Sequence, residues 1–205
     1  MIRIIVCIKQ VPITDRVSFD WKNGGVLIRD NVESIMNPDD LHAIELALQL
    51  KEQYGGEIVA ISMGPSQAEE ILREALAFGV DKCVLITDEK FKGSDTLATT
   101  KILYNSIMKL GKFDIIMTGF KTIDGGTAQV SYQLAERFNI PHITKIHKIE
   151  IKDNTVIVDR LYGHEYQKVK TNLPVLLSVK SKSANFKVRH MDIHRFHQTR
   201  PIFYQ

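Results

Sequence analysis

The feature that most limits the possible folds is a change of hydrophobic period that repeats along the first two thirds of the chain. Short runs rich in Ile and Val stand at residues 2–8, 57–62, 82–87 and 113–118. Each is apolar at odd and even positions alike, so each needs cover on both faces, as a strand of a parallel sheet has. Between them lie longer segments with apolar residues three and four apart. Asn37-Pro38-Asp39-Asp40 opens the first with a capping residue, a proline at the first helical position and two first-turn acids. Leu41, Ile44, Leu48 and Lys51 then form one stripe, with Ala47 and Leu50 beside it, and Gly55-Gly56 ends the helix. A second helix is expected from about Ser66 to Phe78, with Ser66 and Glu69 spaced as a capping box. A third runs from residue 94 or 95 to Leu110, and a fourth from Thr127 to Phe138, ahead of Pro141. Strand, helix, strand, helix in this order predicts an α/β fold with four parallel strands and right-handed crossovers.

After Pro141 the period shortens to two. Residues 142–152, 155–161 and 165–171 alternate around the turn signals Asp153-Asn154 and Tyr162-Gly163-His164, which reads as an antiparallel meander with one wet face. A last buried strand is expected at 173–179. Residues 1–179 therefore form a single Rossmann-like nucleotide-binding α/β domain, with antiparallel strands at 142–179. Residues 180–205 are a basic C-terminal arm, where Lys180, Lys182, Lys187, Arg189, Arg195 and Arg200 face one acid, Asp192.

Composition removes other classes. The chain has 205 residues, 25% charged and 44% hydrophobic, with net charge +3. That suits one globular domain and is too mild a basic excess to argue for nucleic acid. No run approaches the roughly 20 apolar residues of a membrane span. The opening MIRIIVCIKQ lacks a signal-peptide core, so a cytoplasmic location is expected. Cys7 and Cys83 sit singly inside apolar runs and read as buried small hydrophobes. His190, His194 and His197 lie in the arm without a credible metal-binding helix, and no metal site is expected.

Ligands of an open parallel sheet sit beyond the carboxyl ends of its strands. Three segments lie there. Thr118 to Gln129 follows a strand and opens a helix. Gly125-Gly126 permits close backbone approach, Thr127 offers a cap and a hydroxyl, and the helix start offers N–H groups to a phosphate. Ser62-Met63-Gly64-Pro65-Ser66-Gln67 is a second strand-to-helix loop. The third, Cys7 to Pro12, carries Lys9, which could meet a phosphate or a carboxylate, and the Asn37-Pro38 turn approaches the same crevice. Nucleophile-elbow, Walker, zinc-protease and paired-cysteine motifs are absent, as is a carboxylate pair for acid–base work, so no catalytic residue is assigned.

These segments carry a family resemblance. IIVCIKQVP, SIMNPDDLHAIELALQLKE, ISMGPSQAEEILREALAFGVDKCVLITD, GSDTLATT, GKFDIIMTGFKTIDGGTAQVSYQLAERFNIPHITKI and NLPVLL occur in the order and at the spacing of the electron transfer flavoprotein beta subunits. The chain resembles that family over most of residues 1–179. The resemblance implies an electron-carrier subunit rather than an enzyme, in a heterodimer with an alpha subunit that holds most of the redox FAD. It also implies an adenine nucleotide in the beta subunit, AMP in simple members and a second FAD in electron-bifurcating ones. IDGGTAQV looks more like the bifurcating branch. Carried over by motif, the nucleotide site is Cys7, Asn37, Pro38, Asp39, Asp40, Met63 and the run Gly119, Phe120, Lys121, Thr122, Ile123, Asp124, Gly125, Gly126, Thr127, Ala128, Gln129 and Val130.

Two departures from the family pattern follow. The family's recognition loop for partner dehydrogenases carries a leucine anchor and an Asn-Glu-Pro-Arg-Tyr-like signature. Here residues 180–190 read KSKSANFKVRH, which puts docking to acyl-CoA-type dehydrogenases in doubt. Family members also continue into a longer C-terminal arm. The alternative reading is a stand-alone adenine-nucleotide sensor of the same fold, distinguished by the lack of a flavin-bearing partner. An ATP-cleaving enzyme is disfavoured, because Cys7-Ile8-Lys9-Gln10 stands where such folds carry a Ser/Gly phosphate loop.

Overall fold

The computed structural model describes residues 1–13, 33–180 and 192 in full, and three short strands among the remaining residues by their backbone alone. The elements in chain order are β1 (Ile2–Cys7), β2 (Gln10–Pro12), β3 (Ser18–Asp20), β4 (Val26–Ile28), β5 (Ser34–Met36) and α1 (Pro38–Tyr54). Next come β6 (Gly56–Met63), α2 (Glu69–Phe78), β7 (Lys82–Ile86), α3 (Thr96–Leu110), β8 (Ile115–Gly119) and α4 (Val130–Phe138). The chain continues with β9 (His142–Lys152), β10 (Thr155–Tyr162), β11 (Glu165–Asn172), β12 (Val175–Val179) and β13 (Ile202–Tyr204). A nine-stranded sheet has the order β11-β10-β9-β12-β8-β1-β6-β7-β13. From β9 to β13 every pairing is parallel, whereas β10 and β11 add an antiparallel ribbon on the far side of β9. This is the α/β arrangement with a C-terminal meander that the two hydrophobic periods predict.

The sheet grows from its centre in two directions. After β1 the chain adds β6 and β7 on one side and then returns to place β8 on the other. Right-handed crossovers put the helices of opposite steps on opposite faces. Accordingly Ile4, Val6, Ile115 and Met117 pack under α1 and α2 with Ile44, Leu72 and Leu76. Ile5, Ile116 and Leu176 face the other way, against Leu103 and Ile107 of α3 and Leu134 of α4. Burial on α1 is wider than the predicted stripe and takes in Ala43, Leu46 and Glu45, because the helix packs across β1, β6, β8 and β12 together.

Helix starts depart from expectation at two places. α4 begins at Val130 and not at Thr127, because Gly126 (φ 63°) and Ala128 (φ 56°) both take the left-handed conformation and interrupt any helix through them. Residues Ser66–Ala68 form one 3-10 turn ahead of α2, and neither start carries the expected side-chain cap. The end of the basic arm is not separate from the sheet, since β13 pairs in parallel with the β7 edge, Ile202 beside Val84 and Tyr204 beside Ile86. The histidines and most basic residues of the arm, and the divergent stretch 181–190, lie outside the described residues.

Ile5 is fully buried at the centre of the sheet. Ile5→Ala should cost about 2–5 kcal/mol. Urea titration checks this, with a lower midpoint and an unchanged slope expected.

Candidate functional site

The reversal of direction between β1 and β8 creates a crevice at their carboxyl ends, since the two connections leave on opposite faces. The start of α1 closes it. Asp40 accepts the Lys9 N–H at 2.8 Å on one carboxylate oxygen and the Gly119 N–H at 2.9 Å on the other. Those are the first amides past β1 that leave the ladder and the last of β8, so one side chain joins the ends of both strands. Asp39 accepts the Lys121 N–H at 3.3 Å. Asn37 uses its own side chain twice, donating to the Lys121 carbonyl at 3.1 Å and accepting the Ile123 N–H at 3.2 Å. The expected side-chain cap at Asn37 is not made, because its amide spans to this loop instead.

The loop's far half is held from β1. Lys9 Nζ lies 2.6 Å from the Asp124 carboxylate, whose side chain is 5% exposed. Of the two partners foreseen for Lys9, the structure shows the carboxylate. Burial works against the Asp124 charge, yet the Lys9 and Thr122 hydrogen bonds bring its pKa below the ordinary value. Beyond Asp124, Gly125, Gly126 and Thr127 are exposed. Burial pushes Asp40 up to about 7, opposed by hydrogen bonds from Asn37, Lys9 and Gly119 and helped by the neighbouring Asp39 charge. Burial, then the Asp40 charge, raise the Cys7 thiol above its ordinary value, so it stays a thiol and not a nucleophile.

The structure therefore ties Lys9, Asn37, Asp39 and Asp40 to the run from Gly119 to Asp124, with Cys7 at the end of β1 beside Asp40, while residues 125–130 continue from that run into α4. Met63 ends β6, one strand further on, and packs with Cys7 on the α3 and α4 face. Pro38 is the first residue of α1 and serves the turn. Gly119 is required for the junction: a Cβ there would overlap the Asp40 carboxylate and approach the Asp39 backbone. Two hydroxyls at the same edge open candidate segments named from the sequence but were given no role there. Ser62 Oγ and Thr118 Oγ1 are buried without a hydrogen-bond partner among the described residues. Their signal was a lone hydroxyl residue at the carboxyl end of an otherwise apolar strand. Among the described residues no cluster of His, Cys, Asp or Glu is placed to hold a metal, and no helix is long and apolar enough to cross a membrane.

A twisted parallel sheet with polar loops tied together at its switch point defines an α/β protein of the kind that takes a ligand at the carboxyl edge. The electron transfer flavoprotein domain matches residues 24–193. Electron transfer flavoprotein subunit beta of Clostridium acetobutylicum is 42% identical over 200 residues, covering 98% of this chain and 73% of that protein. The caffeyl-CoA reductase-Etf complex subunit CarD of Acetobacterium woodii is 45% identical over 177 residues, 86% of this chain and 67% of that protein. Protein FixA of Azorhizobium caulinodans is 42% identical over 183 residues, 86% of this chain and 65% of that protein. The chain belongs to the electron transfer flavoprotein family, on the side of its beta subunits, and its role is electron transfer within a flavin-associated complex.

Asp40→Asn replaces one acceptor by a donor that must face an N–H. It should cost about 1–3 kcal/mol. Because the native pKa of Asp40 is raised to about 7, the folded state binds the extra proton between the unfolded value and pH 7. The wild-type advantage over Asp40→Asn should therefore shrink as pH rises from about 4 to 7 and stay level above. Urea midpoints across that range measure it; an advantage that grows with pH would contradict the placement of the buried charge.

Proposed function

We propose that this chain pairs with an alpha subunit that carries most of a redox FAD, and that it holds an adenine nucleotide of its own at the β1–β8 switch point. The observation that carries this reading is the preset loop after β8. Asn37, Asp39, Asp40 and Lys9 spend their side chains fixing residues Gly119–Asp124, which leaves the Gly125-Gly126-Thr127 turn exposed ahead of α4. Exposed turn amides leading into a helix start suit phosphate oxygens. The unpartnered hydroxyls of Ser62 and Thr118 mark the same edge as polar and suited to a ligand.

Each residue then has a role. Backbone groups beside Cys7 and Met63 face the base. Asn37, already bonded to Lys121 and Ile123, acts by holding the loop and not by reading the base. Gly125 to Gln129 holds phosphate. The flavin supplies the electron chemistry, and the protein supplies binding, orientation and electrostatics. That division agrees with a crevice in which Cys7 is held as a thiol and Asp40 is committed to two amides. The electron-transfer subunits among its relatives include one of acryloyl-CoA reductase in Anaerotignum propionicum, 41% identical over 194 residues. Exchange with a CoA-ester dehydrogenase or reductase is accordingly the partner class proposed here.

Co-expression with an alpha subunit of the family, followed by denaturation and chromatography, tests the reading. One flavin and one further adenine nucleotide per heterodimer are expected, with AMP marking a simple shuttle and a second FAD a bifurcating carrier. A homodimer holding ATP without flavin would overturn it. Gly126→Val adds a branched side chain where φ is 63° and should lower bound nucleotide at least about tenfold while the complex still forms. Full nucleotide content in that variant would remove the loop from the site.

A further inference from the structure

Beside the crevice, on the β12 and β9 side, two ammonium groups gather over one aromatic ring. Phe120 is the first residue past β8, and its N–H donates to the Val179 carbonyl at 2.7 Å. Lys180 follows Val179, and its Nζ lies 6.0 Å from the Phe120 ring centroid. Lys145 reaches the same ring from β9 at 5.0 Å. Its position is unusual. Thr144 pairs with Ser178 and Ile146 with Val179, so Lys145 is an extra residue in the ladder, and its φ is 56°. Bulges of this kind re-aim a side chain, and this one brings a lysine of β9 to the ring that starts the β8–α4 loop.

Both lysines are half-buried. Among the described residues, no carboxylate pairs with either, in contrast to Lys9, which is matched by Asp124. Two like charges over one ring repel each other. An anion between them relieves that repulsion, and the adjoining loop is the one assigned above to phosphate. α4, which begins at that edge, packs over β9, which carries Lys145, and over β12, which Lys180 follows.

We propose that Lys145 and Lys180, gathered over Phe120, receive the second phosphate of the bound adenine nucleotide, so that the site prefers a pyrophosphate-bearing nucleotide to a monophosphate. This rests on the placement of the nucleotide at the switch point. The shared chemistry is the adenosine diphosphate unit of either ADP or FAD.

The test uses the full chain co-expressed with its alpha subunit, stripped of bound nucleotide, and titrated calorimetrically with AMP, ADP and FAD. Lys145→Gln/Lys180→Gln should weaken ADP and FAD at least tenfold and AMP less than twofold. Lys145→Arg/Lys180→Arg should restore the ADP preference, which separates charge from a folding defect. Equal weakening of AMP and ADP would overturn the assignment, as would no weakening of either. Loss for FAD with ADP unchanged would also overturn it, by moving the contact off the pyrophosphate. If the wild type binds none of the three, the switch-point site itself fails, and the lysine assignment with it.

Discussion

The carboxylate of Asp40 is the interaction on which the rest of the site depends. At a switch point two neighbouring parallel strands send their chains to opposite faces, so the amides just past their ends have no ladder to join. Here the N–H of Lys9, just past β1, and that of Gly119, the last residue of β8, turn to Asp40, which accepts one on each oxygen. A neutral amide offers one acceptor, and a hydroxyl is too short to span two strands. The arrangement also dictates its neighbours. Gly119 must lack a Cβ because Asp40 and Asp39 occupy that space, and Pro38 sets the turn that delivers both acids. The buried charge comes with a raised pKa, which is the tension that keeps this junction sensitive to protons.

From that junction the loop after β8 is built outward. Asn37 and Asp39 hold its first residues, and Lys9 holds Asp124. For the nucleotide site proposed above, the consequence is pre-organisation. A binding loop whose first half is fixed before a ligand arrives loses less ordering entropy on binding. The polar side chains around the crevice are thereby spent on architecture, and the exposed part is mostly backbone and glycine. A carrier subunit needs this more than it needs reactive side chains, because the electrons reside on a flavin.

The parallel core and the meander were legible because each rests on a period: Ile4, Ile5 and Val6 are apolar on both faces, whereas residues 142–171 alternate. The meeting of the Asn37–Asp40 turn with the loop after β8 was legible, since few residue types open a helix in that way. What those residues do there was less legible. Asn37 reads as a cap by local rules, but a partner 84 residues away takes its side chain. Asp40 reads as a first-turn acid, and its partners are 31 and 79 residues away. Thr127 reads as a helix start, but the left-handed Ala128 that postpones α4 has no signature in its residue type. Local propensity names the plausible position, and tertiary contacts decide which group fills it.

β9 belongs to two ladders of opposite sense, parallel to β12 and antiparallel to β10, and it carries an irregularity in each. The shift against β12 falls at Lys145, and the shift against β10 lies close by, opposite Asp159 and Arg160. A strand that must match two different hydrogen-bond spacings absorbs the mismatch in bulges. At the start of the same strand, His142 lies against Tyr132 of α4 with ring centroids 4.5 Å apart. Burial, with the Arg160 charge adding, pushes its pKa down to about 4, so it is neutral near pH 7. Under α4 the strand thus brings an uncharged ring, and at its bulge it brings the Lys145 ammonium over Phe120. The transition from parallel to antiparallel sheet, a purely backbone matter, in this way sets where that cation stands.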